Sequence, residues 1–175
     1  MTLSHKTRWG AAIAALYPFA CGQTHGTSIR LPNIRLMHIP HANKLELAAG
    51  HKKTHWMWFV FPQLRGLGSS RLAHYFGIAD PSEAAEYWDD DLLGGRLRSC
   101  TDILLDLPMG TKAENVFGKI DAMKLRSCMT LFANVSSEDA RINEVLARYF
   151  RSEYCQLTLD IIQNSPKARR MYISR

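Results

Sequence analysis

The stretch that decides the fold is residues 54–70, THWMWFVFPQLRGLGSS. It places two tryptophans, two phenylalanines, a methionine and a valine in one run, which ends at Pro62 and Gln63. Each buried aromatic side chain removes about 150 to 250 Å² from water, so this run can anchor a small domain. We expect most of the residues from Trp56 to Phe61 to be core. The remaining question is whether the run also forms one wall of a ligand site.

Length and composition predict one globular domain. The chain has 175 residues, of which 46% are hydrophobic and 22% charged, and a chain of this size can bury a substantial core. No uninterrupted apolar run, Trp56 to Phe61 included, approaches the roughly 20 residues of a membrane-spanning helix. We therefore expect no membrane segment and no membrane partner.

The formal charge of +6 lies in the N-terminal third of the chain. Residues 1–54 carry seven Lys or Arg against the single acid Glu46, and residues 55–175 carry fifteen charges of each sign. A basic surface that extended across the fold would be typical of nucleic-acid binding. The observed distribution makes nucleic acid an unexpected partner.

The cysteines predict a reduced, cytoplasmic protein. Cys21, Cys100, Cys128 and Cys155 are widely spaced and form no C-x-x-C pair or Cys/His cluster, so we expect mostly buried thiols, no metal and no cofactor. The basic start and the following apolar stretch loosely resemble a signal peptide. Pro18 and Phe19 fit poorly before a cleavage site, so export is not expected.

The pattern from residue 80 onward predicts helices. Asp80, Pro81 and Glu83 form a helix start, and Thr111 with Glu114 predicts a capping box before a short turn that ends at Gly118. Ser136 or Ser137 is expected to cap a later helix. Apolar residues at helical spacing predict the rest: Leu93, Leu97, Cys100, Leu104 and Leu107 before Pro108; Leu125, Cys128, Met129 and Phe132; Ile142, Val145, Leu146, Tyr149 and Phe150; and Leu157 to Ile162.

The fold class is therefore mainly α, a single compact multi-helix domain. Residues 43–165 are predicted as the helical domain, and residues 166–175 as a basic tail that frays. Residues 1–42 form an irregular basic segment with scattered Gly, Pro and His residues. The only element predicted there is a short helix over Ala11 to Leu16.

Several long strings resemble one bacterial family. They are HKKTHWMWFVFPQLRGLGSSRLAHYFGIADPSEAAEYW at 51–88, LLGGRLRSCTDILLDL at 92–107, NVFGKIDAMKLRSCMTLFANV at 115–135, RYF at 148–150 and TLDII at 158–162. Over roughly residues 45–163 the chain is similar to the family called domain of unknown function 1810. Some members carry the label calpastatin, but inhibitors of that type are disordered, and this composition predicts a full core.

The resemblance implies an all-α fold distantly similar to the NADAR, or YbiA-like, domains. Those domains are associated with ADP-ribose-type nucleotides and with cleavage of N-glycosidic bonds. Family members usually begin with a helix that carries an F-x-x-A-Q pattern, and residues 1–42 lack it. Any site residue that this helix supplies in relatives would be missing from the present chain.

The first candidate site surrounds the aromatic run. A helix N-terminus after a glycine-containing turn favours an anion such as phosphate, and Ser69 or Ser70 can cap that helix. His55 or Gln63 could supply the donor for a leaving base. The alternative is that the aromatics are core and the turn only caps a helix. The predicted ligand-binding residues here are Lys52, Trp56, Trp58, Gly66, Gly68 and Ser69.

The second candidate site is the sequence Asp121-Ala122-Met123-Lys124-Leu125-Arg126-Ser127. Asp121 is predicted as a general acid/base or as an acceptor for a ribose hydroxyl, and Lys124 as a phosphate ligand, with Arg126 and Ser127 beside them. The alternative is an exposed ion pair one helical turn apart, combined with a helix cap.

Three functions follow. The first is an enzyme that hydrolyses an N-glycosidic bond, with Asp121, His55 and Gln63 as catalytic residues. The second is a non-catalytic module that binds a small-molecule nucleotide or ribosyl compound. The third is a protein-interaction or structural domain whose tryptophans are entirely core.

Overall fold

The computed structural model describes residues 41–136 and 139–165, and these residues form a bundle of helices. The mainly α class is therefore confirmed. The predicted helix over Ala11 to Leu16 and the tail 166–175 lie outside the described residues. The helices are α1 (His41–Ala48), α2 (Met57–Val60), α3 (Arg71–Phe76), α4 (Pro81–Asp89), α5 (Leu93–Asp106), α6 (Ala113–Ala133), α7 (Ala140–Phe150) and α8 (Gln156–Asn164).

Within these described ranges, extended pairing is confined to one isolated bridge between Leu64 and Ile78. Their backbones are joined because the N–H of Arg65 donates to the carbonyl of Ile78, 2.8 Å away, and the N–H of Ile78 donates to Gln63. No helix in the described part of the chain is both long enough and apolar enough to cross a bilayer.

Capping residues were predicted correctly at two helices, α3 and α4, and wrongly at two others. The Asp80 carboxylate accepts from the N–H groups of Ser82 and Glu83, which begins α4 as expected. Thr111 does not cap α6, because its hydroxyl donates to the Pro108 carbonyl 2.7 Å away. The cap of α7 is Asp139.

Ser136, which we predicted as that cap, instead donates its hydroxyl to the Phe132 carbonyl at the end of α6. Ser137, the other candidate, lies outside the described residues. Both errors have the same cause: a hydroxyl at a helix boundary can bond backward to a carbonyl as easily as forward to an N–H.

The longest helix, α6, is divided by Gly118. This residue has φ 75° and ψ 163°, which breaks the helical path between Phe117 and Lys119. Glycine adopts positive φ without the steric cost that other residues meet. The kink matches the predicted stop at Gly118, and it sets the direction of the segment that begins Lys119-Ile120-Asp121.

The opening aromatic run forms a single helical turn, α2, at the centre of the core. Trp56, Met57, Val60 and Phe61 are buried, whereas Trp58 and Phe59 are only partly buried. The ring of Trp56 lies 6.2 Å from that of Phe61 and 6.4 Å from that of Phe117, just before the kink in α6. The run is thus mostly core, as expected, with Trp58 and Phe59 at its edge.

The rest of the core joins α4, α5, α6 and α7. Tyr87 packs its ring 5.7 Å from that of Phe132, and the apolar stripe of α5 is buried along its length. Arg148 of α7 donates to the carbonyls of Leu105 and Leu107 at the end of α5. Carbonyls at a helix C-terminus have no partner within their own helix, so this arginine satisfies them.

Candidate functional site

Three charged side chains meet between the aromatic run and the second half of α6. The ammonium of Lys52 donates to Asp121 Oδ2 at 2.6 Å, and the ammonium of Lys124 donates to Asp121 Oδ1 at 2.7 Å. The exposed fractions of these side chains are 5% for Lys52, 17% for Asp121 and 22% for Lys124. We call these three residues the Lys52–Asp121–Lys124 cluster.

The kink at Gly118 allows Lys52 to bind both halves of α6. The backbone N–H of Lys52 donates to the carbonyl of Val116, 2.7 Å away and two residues before Gly118. Its side chain reaches Asp121, three residues after Gly118. The position of the Lys52 ammonium is therefore fixed by backbone and side chain together.

Two indoles lie beside the cluster, and each faces one of its lysines. The ammonium of Lys52 lies 5.4 Å from the centre of the Trp56 ring, and that of Lys124 lies 4.4 Å from the centre of the Trp58 ring. An ammonium over the face of an indole is attracted by the negative face of the ring. Trp56 is buried, so Trp58 is the indole that retains solvent contact.

The surroundings of Asp121 keep its carboxylate ionised. Partial burial acts to raise the pKa of Asp121, but the hydrogen bonds and positive charges of Lys124 and Lys52 outweigh it and lower the pKa below its ordinary value. A carboxylate of this kind accepts hydrogen bonds and stabilises positive charge. It does not donate a proton near neutral pH, so of the two roles predicted for Asp121 the geometry favours the acceptor role over that of general acid.

The cluster as a whole has one unbalanced positive charge, since it contains two ammonium groups and one carboxylate. Both carboxylate oxygens already accept from a lysine. Partly buried charge is stabilised by further partners of opposite sign. The cluster is therefore suited to a ligand with an anionic group.

Glu46 organises the segment that carries Lys52 and Trp56, and sequence reasoning missed it. Its carboxylate accepts from the N–H groups of Lys53 and Thr54, from the Thr54 hydroxyl, and from the Trp56 indole N–H at 2.9 Å. Burial alone would raise the pKa of Glu46, but these four donors lower it to about 2. The only available signal was that Glu46 is the single acid among residues 1–54.

Arg126 and Ser127, predicted beside Asp121, make their contacts elsewhere. Arg126 donates to the carbonyls of Glu153 and Tyr154, at 3.0 and 2.7 Å. The Ser127 hydroxyl lies 3.3 Å from the sulfur of Cys155. Both side chains therefore bind the segment between α7 and α8, because they follow Asp121 by more than one helical turn and lie on another face of α6.

The predicted glycine-containing turn is explained by local packing and by a helix cap. Ser70, the alternative to Ser69, caps α3 by accepting from the Ala73 N–H at 3.0 Å, while Ser69 is exposed. A Cβ at Gly68 would lie 2.8 Å from that of Ala73, so packing alone explains this glycine. Because α3 has only six residues, its N-terminus gives little support for a phosphate site.

Gly66 belongs to an open groove of about 350 Å³ between the turn and α8. No residue of the Lys52–Asp121–Lys124 cluster lines this groove, so its volume does not describe the cluster. The lining residues are Gly66, Leu67, Leu157, Asp160, Ile161 and Asn164.

His55 and Gln63 bracket the aromatic run, as the sequence indicates. His55 is exposed and directly precedes the buried Trp56. Gln63 is partly buried, and its backbone carbonyl accepts from the Ile78 N–H at 2.7 Å. The part of the chain that the structure describes contains no group of three His, Cys, Asp or Glu side chains placed to hold a metal ion.

The arrangement can be compared with known proteins. No curated protein matches this chain. A crystal structure of the conserved hypothetical protein Rv1873 from Mycobacterium tuberculosis is similar, with 39% sequence identity and a TM-score of 0.73, over 77% of this chain and 97% of that one. A family described as protein of unknown function (DUF1810) matches residues 38–162, which include α1 to α7 and the whole cluster. The chain therefore belongs to the DUF1810 family.

Proposed function

We propose that the Lys52–Asp121–Lys124 cluster binds a phosphorylated ribosyl compound of the ADP-ribose class, and that hydrolysis of its N-glycosidic bond is the reaction carried out there. The observation that carries the proposal is the convergence of two lysines on one ionised carboxylate beside a partly exposed indole. This set supplies positive charge for phosphate, an acceptor for ribose hydroxyls and a flat apolar surface for a base.

Lys124 is the residue proposed to meet the phosphate. It is the more exposed of the two lysines, and its ammonium covers the face of Trp58. A base that stacked on this face would have to displace the ammonium. An anionic group on the ligand would draw Lys124 away from the indole, so phosphate binding and base stacking are expected to occur together.

Asp121 is the residue proposed to act on the sugar. As the C1′–N bond breaks, positive charge develops at C1′ and the ring oxygen, and an ionised carboxylate stabilises it. Water then supplies a hydroxyl to C1′, and a proton passes to the departing base. His55 is the proposed proton donor, and Gln63 is proposed to donate a hydrogen bond to the departing base. The resemblance to NADAR domains supports this chemistry as an analogy of fold and pattern.

Thermal unfolding with a ligand panel tests the proposal. A ligand that binds only the folded protein stabilises it by about 2.7 kcal/mol at a concentration one hundred times its Kd. We expect ADP-ribose to raise the Tm of the wild-type chain and not that of Asp121→Asn. Asp102→Asn is the matched control, because Asp102 is an exposed carboxylate paired with Arg141. No shift from any ribosyl phosphate at millimolar concentration would refute the binding proposal.

Product analysis separates the enzyme from a binding module. Release of a free base from ribosyl nucleotides, lost in Asp121→Asn, would support hydrolysis. Binding without release would leave a non-catalytic ligand-binding domain, the alternative that the sequence also allows.

A further inference from the structure

A second polar cluster surrounds Cys155, away from the residues assigned above. Cys155 is the residue directly before the nine-residue helix α8 and is partly exposed, whereas Cys100 and Cys128 are buried. Its backbone N–H donates to the Thr130 hydroxyl of α6 at 2.8 Å. The backbone of Cys155 is thus held between α6 and α8.

The Ser127 hydroxyl is placed to respond to the charge of this sulfur. Its oxygen lies 3.0 Å from the Met123 carbonyl and 3.3 Å from Cys155 Sγ. A hydroxyl has one hydrogen and donates it to one acceptor at a time. Loss of the thiol proton makes Sγ the stronger acceptor, so the Ser127 hydrogen is expected to turn toward the thiolate.

Thr158 provides an independent observation. It lies three residues after Cys155 and is fully buried, and its hydroxyl has no hydrogen-bond partner of ordinary geometry. Cys155 is the N-cap of α8, and Thr158 follows it by three residues, the spacing at which the N-cap and N3 side chains of a helix come together; Thr158 is also among the groups that lower the pKa of the Cys155 thiol. A buried hydroxyl without a full partner is unfavourable. An oxygen atom bonded to Sγ would offer it an acceptor.

The groups around Cys155 favour the thiolate. Burial acts to raise the pKa of Cys155, but the neighbouring Ser127 hydroxyl, Thr158 and the charge of Arg126 lower it below the ordinary value of 9.0. Arg126 is itself paired with Glu153 at 3.4 Å, and Asp160 of α8 accepts from Gln156. Thiolates, rather than thiols, are the reactive form of cysteine.

We propose that Cys155 is a peroxide-reactive thiol whose sulfenic acid is held by Ser127 and Thr158. The thiolate attacks one oxygen of hydrogen peroxide, an S–O bond forms and the O–O bond breaks. Hydroxide leaves and takes up a proton to become water. The sulfur loses two electrons and the peroxide gains them, so no further reactant is needed.

Site-resolved mass spectrometry of the full wild-type chain tests this inference. The chain is treated with hydrogen peroxide and then with dimedone, which traps sulfenic acids, and Cys100 and Cys128 serve as internal controls. We expect at least tenfold more label on Cys155 than on either buried cysteine. Equal labelling of the three, or none on Cys155, would overturn the proposal.

Two variants test the role of Thr158. Thr158→Val has nearly the same shape without the hydroxyl, and Thr158→Ser keeps the hydroxyl. We expect Thr158→Val to reduce dimedone labelling of Cys155 several-fold and Thr158→Ser to restore most of it. Labelling that is unchanged in a folded Thr158→Val protein would contradict the assigned role. The labelling results do not depend on a nucleotide ligand. This proposal can therefore be refuted while the proposed function stands, and the reverse.

Discussion

Lys52 and Asp121 lie 69 residues apart in the chain, and their ammonium and carboxylate groups are 2.6 Å apart in the fold. The Lys52 side chain is 5% exposed, so this pair is far better shielded from water than an ordinary surface ion pair. The contact joins the segment before the aromatic run to the second half of α6. The candidate site depends on that junction.

Replacing Lys52 is expected to cost more stability than replacing Lys124. Hydrogen bonds to charged groups contribute about 1.5 to 3 kcal/mol, and the value falls with exposure. We expect Lys52→Met to lower the free energy of unfolding by about that amount and Lys124→Met, at 22% exposure, by less. Urea denaturation of both variants measures the difference. Equal losses, or a larger loss in Lys124→Met, would contradict the burial that distinguishes the two lysines.

The contribution of Asp121 to stability should depend on pH in a defined direction. Its pKa in the folded state is below the ordinary value of 3.8. The stabilisation is therefore complete above pH 3.8 and is lost as pH falls through the lower folded-state pKa. Wild type should exceed Asp121→Asn in stability at pH 7, and this difference should narrow as the pH is lowered below 3.8. If the difference in free energy of unfolding between the two proteins stayed constant as the pH was lowered, the charge of the Asp121 carboxylate would not contribute to stability.

Glu46 should show the same sign of pH dependence through a different set of contacts. Its pKa falls from 4.5 to about 2 because Trp56, Lys53 and Thr54 donate to it. The stability it contributes is present above pH 4.5 and declines as pH falls toward 2. Glu46→Gln should flatten that decline and move the Trp56 indole N–H resonance in a ¹H–¹⁵N spectrum. Glu46→Ala removes the acceptor altogether. If the Trp56 indole resonance were unchanged in that variant, the hydrogen bond from Trp56 to Glu46 would be contradicted.

Replacing Gly118 with any residue that has a side chain is expected to destabilise the protein. A residue other than glycine at φ 75° is strained by about 1 to 3 kcal/mol, so Gly118→Ala should lower the free energy of unfolding within that range. Gly95→Ala is the matched control: this glycine lies within α5, and a Cβ there would meet no atom within 4 Å. We expect Gly95→Ala to stabilise the protein by up to about 1 kcal/mol. If Gly118→Ala and Gly95→Ala changed the free energy of unfolding by the same amount and in the same direction, the kink at Gly118 would be contradicted.

The helices from residue 80 onward could be predicted from the sequence because their signals are local, whereas α1, which begins at His41 inside the segment predicted as irregular, was not predicted. The apolar stripe from Leu93 to Leu104 and the Asp80 cap each depend on residues within one or two turns, and both are confirmed. The Asp121–Lys124 pair was predicted for the same reason, since three-residue spacing places both side chains on one face of a helix.

The contacts of Lys52, Glu46 and Arg126 could not be predicted in the same way. The partner of Lys52 depends on the direction that the Gly118 kink gives to α6, and a glycine in a sequence does not specify its dihedral angles. Glu46 binds backbone N–H groups that are available only because the segment after α1 folds back over it. Arg126 was placed beside Asp121 by proximity in sequence, whereas helix geometry turns it toward Glu153.

Calorimetric titration of ADP-ribose into three proteins tests the central claim most directly. Lys124→Met removes the lysine assigned to the phosphate, and Lys119→Met removes an exposed lysine from the same helix. The proposed function predicts measurable binding by wild type and by Lys119→Met, and at least a tenfold weaker affinity for Lys124→Met. Equal affinities for all three proteins would contradict the assignment of the ligand to the Lys52–Asp121–Lys124 cluster.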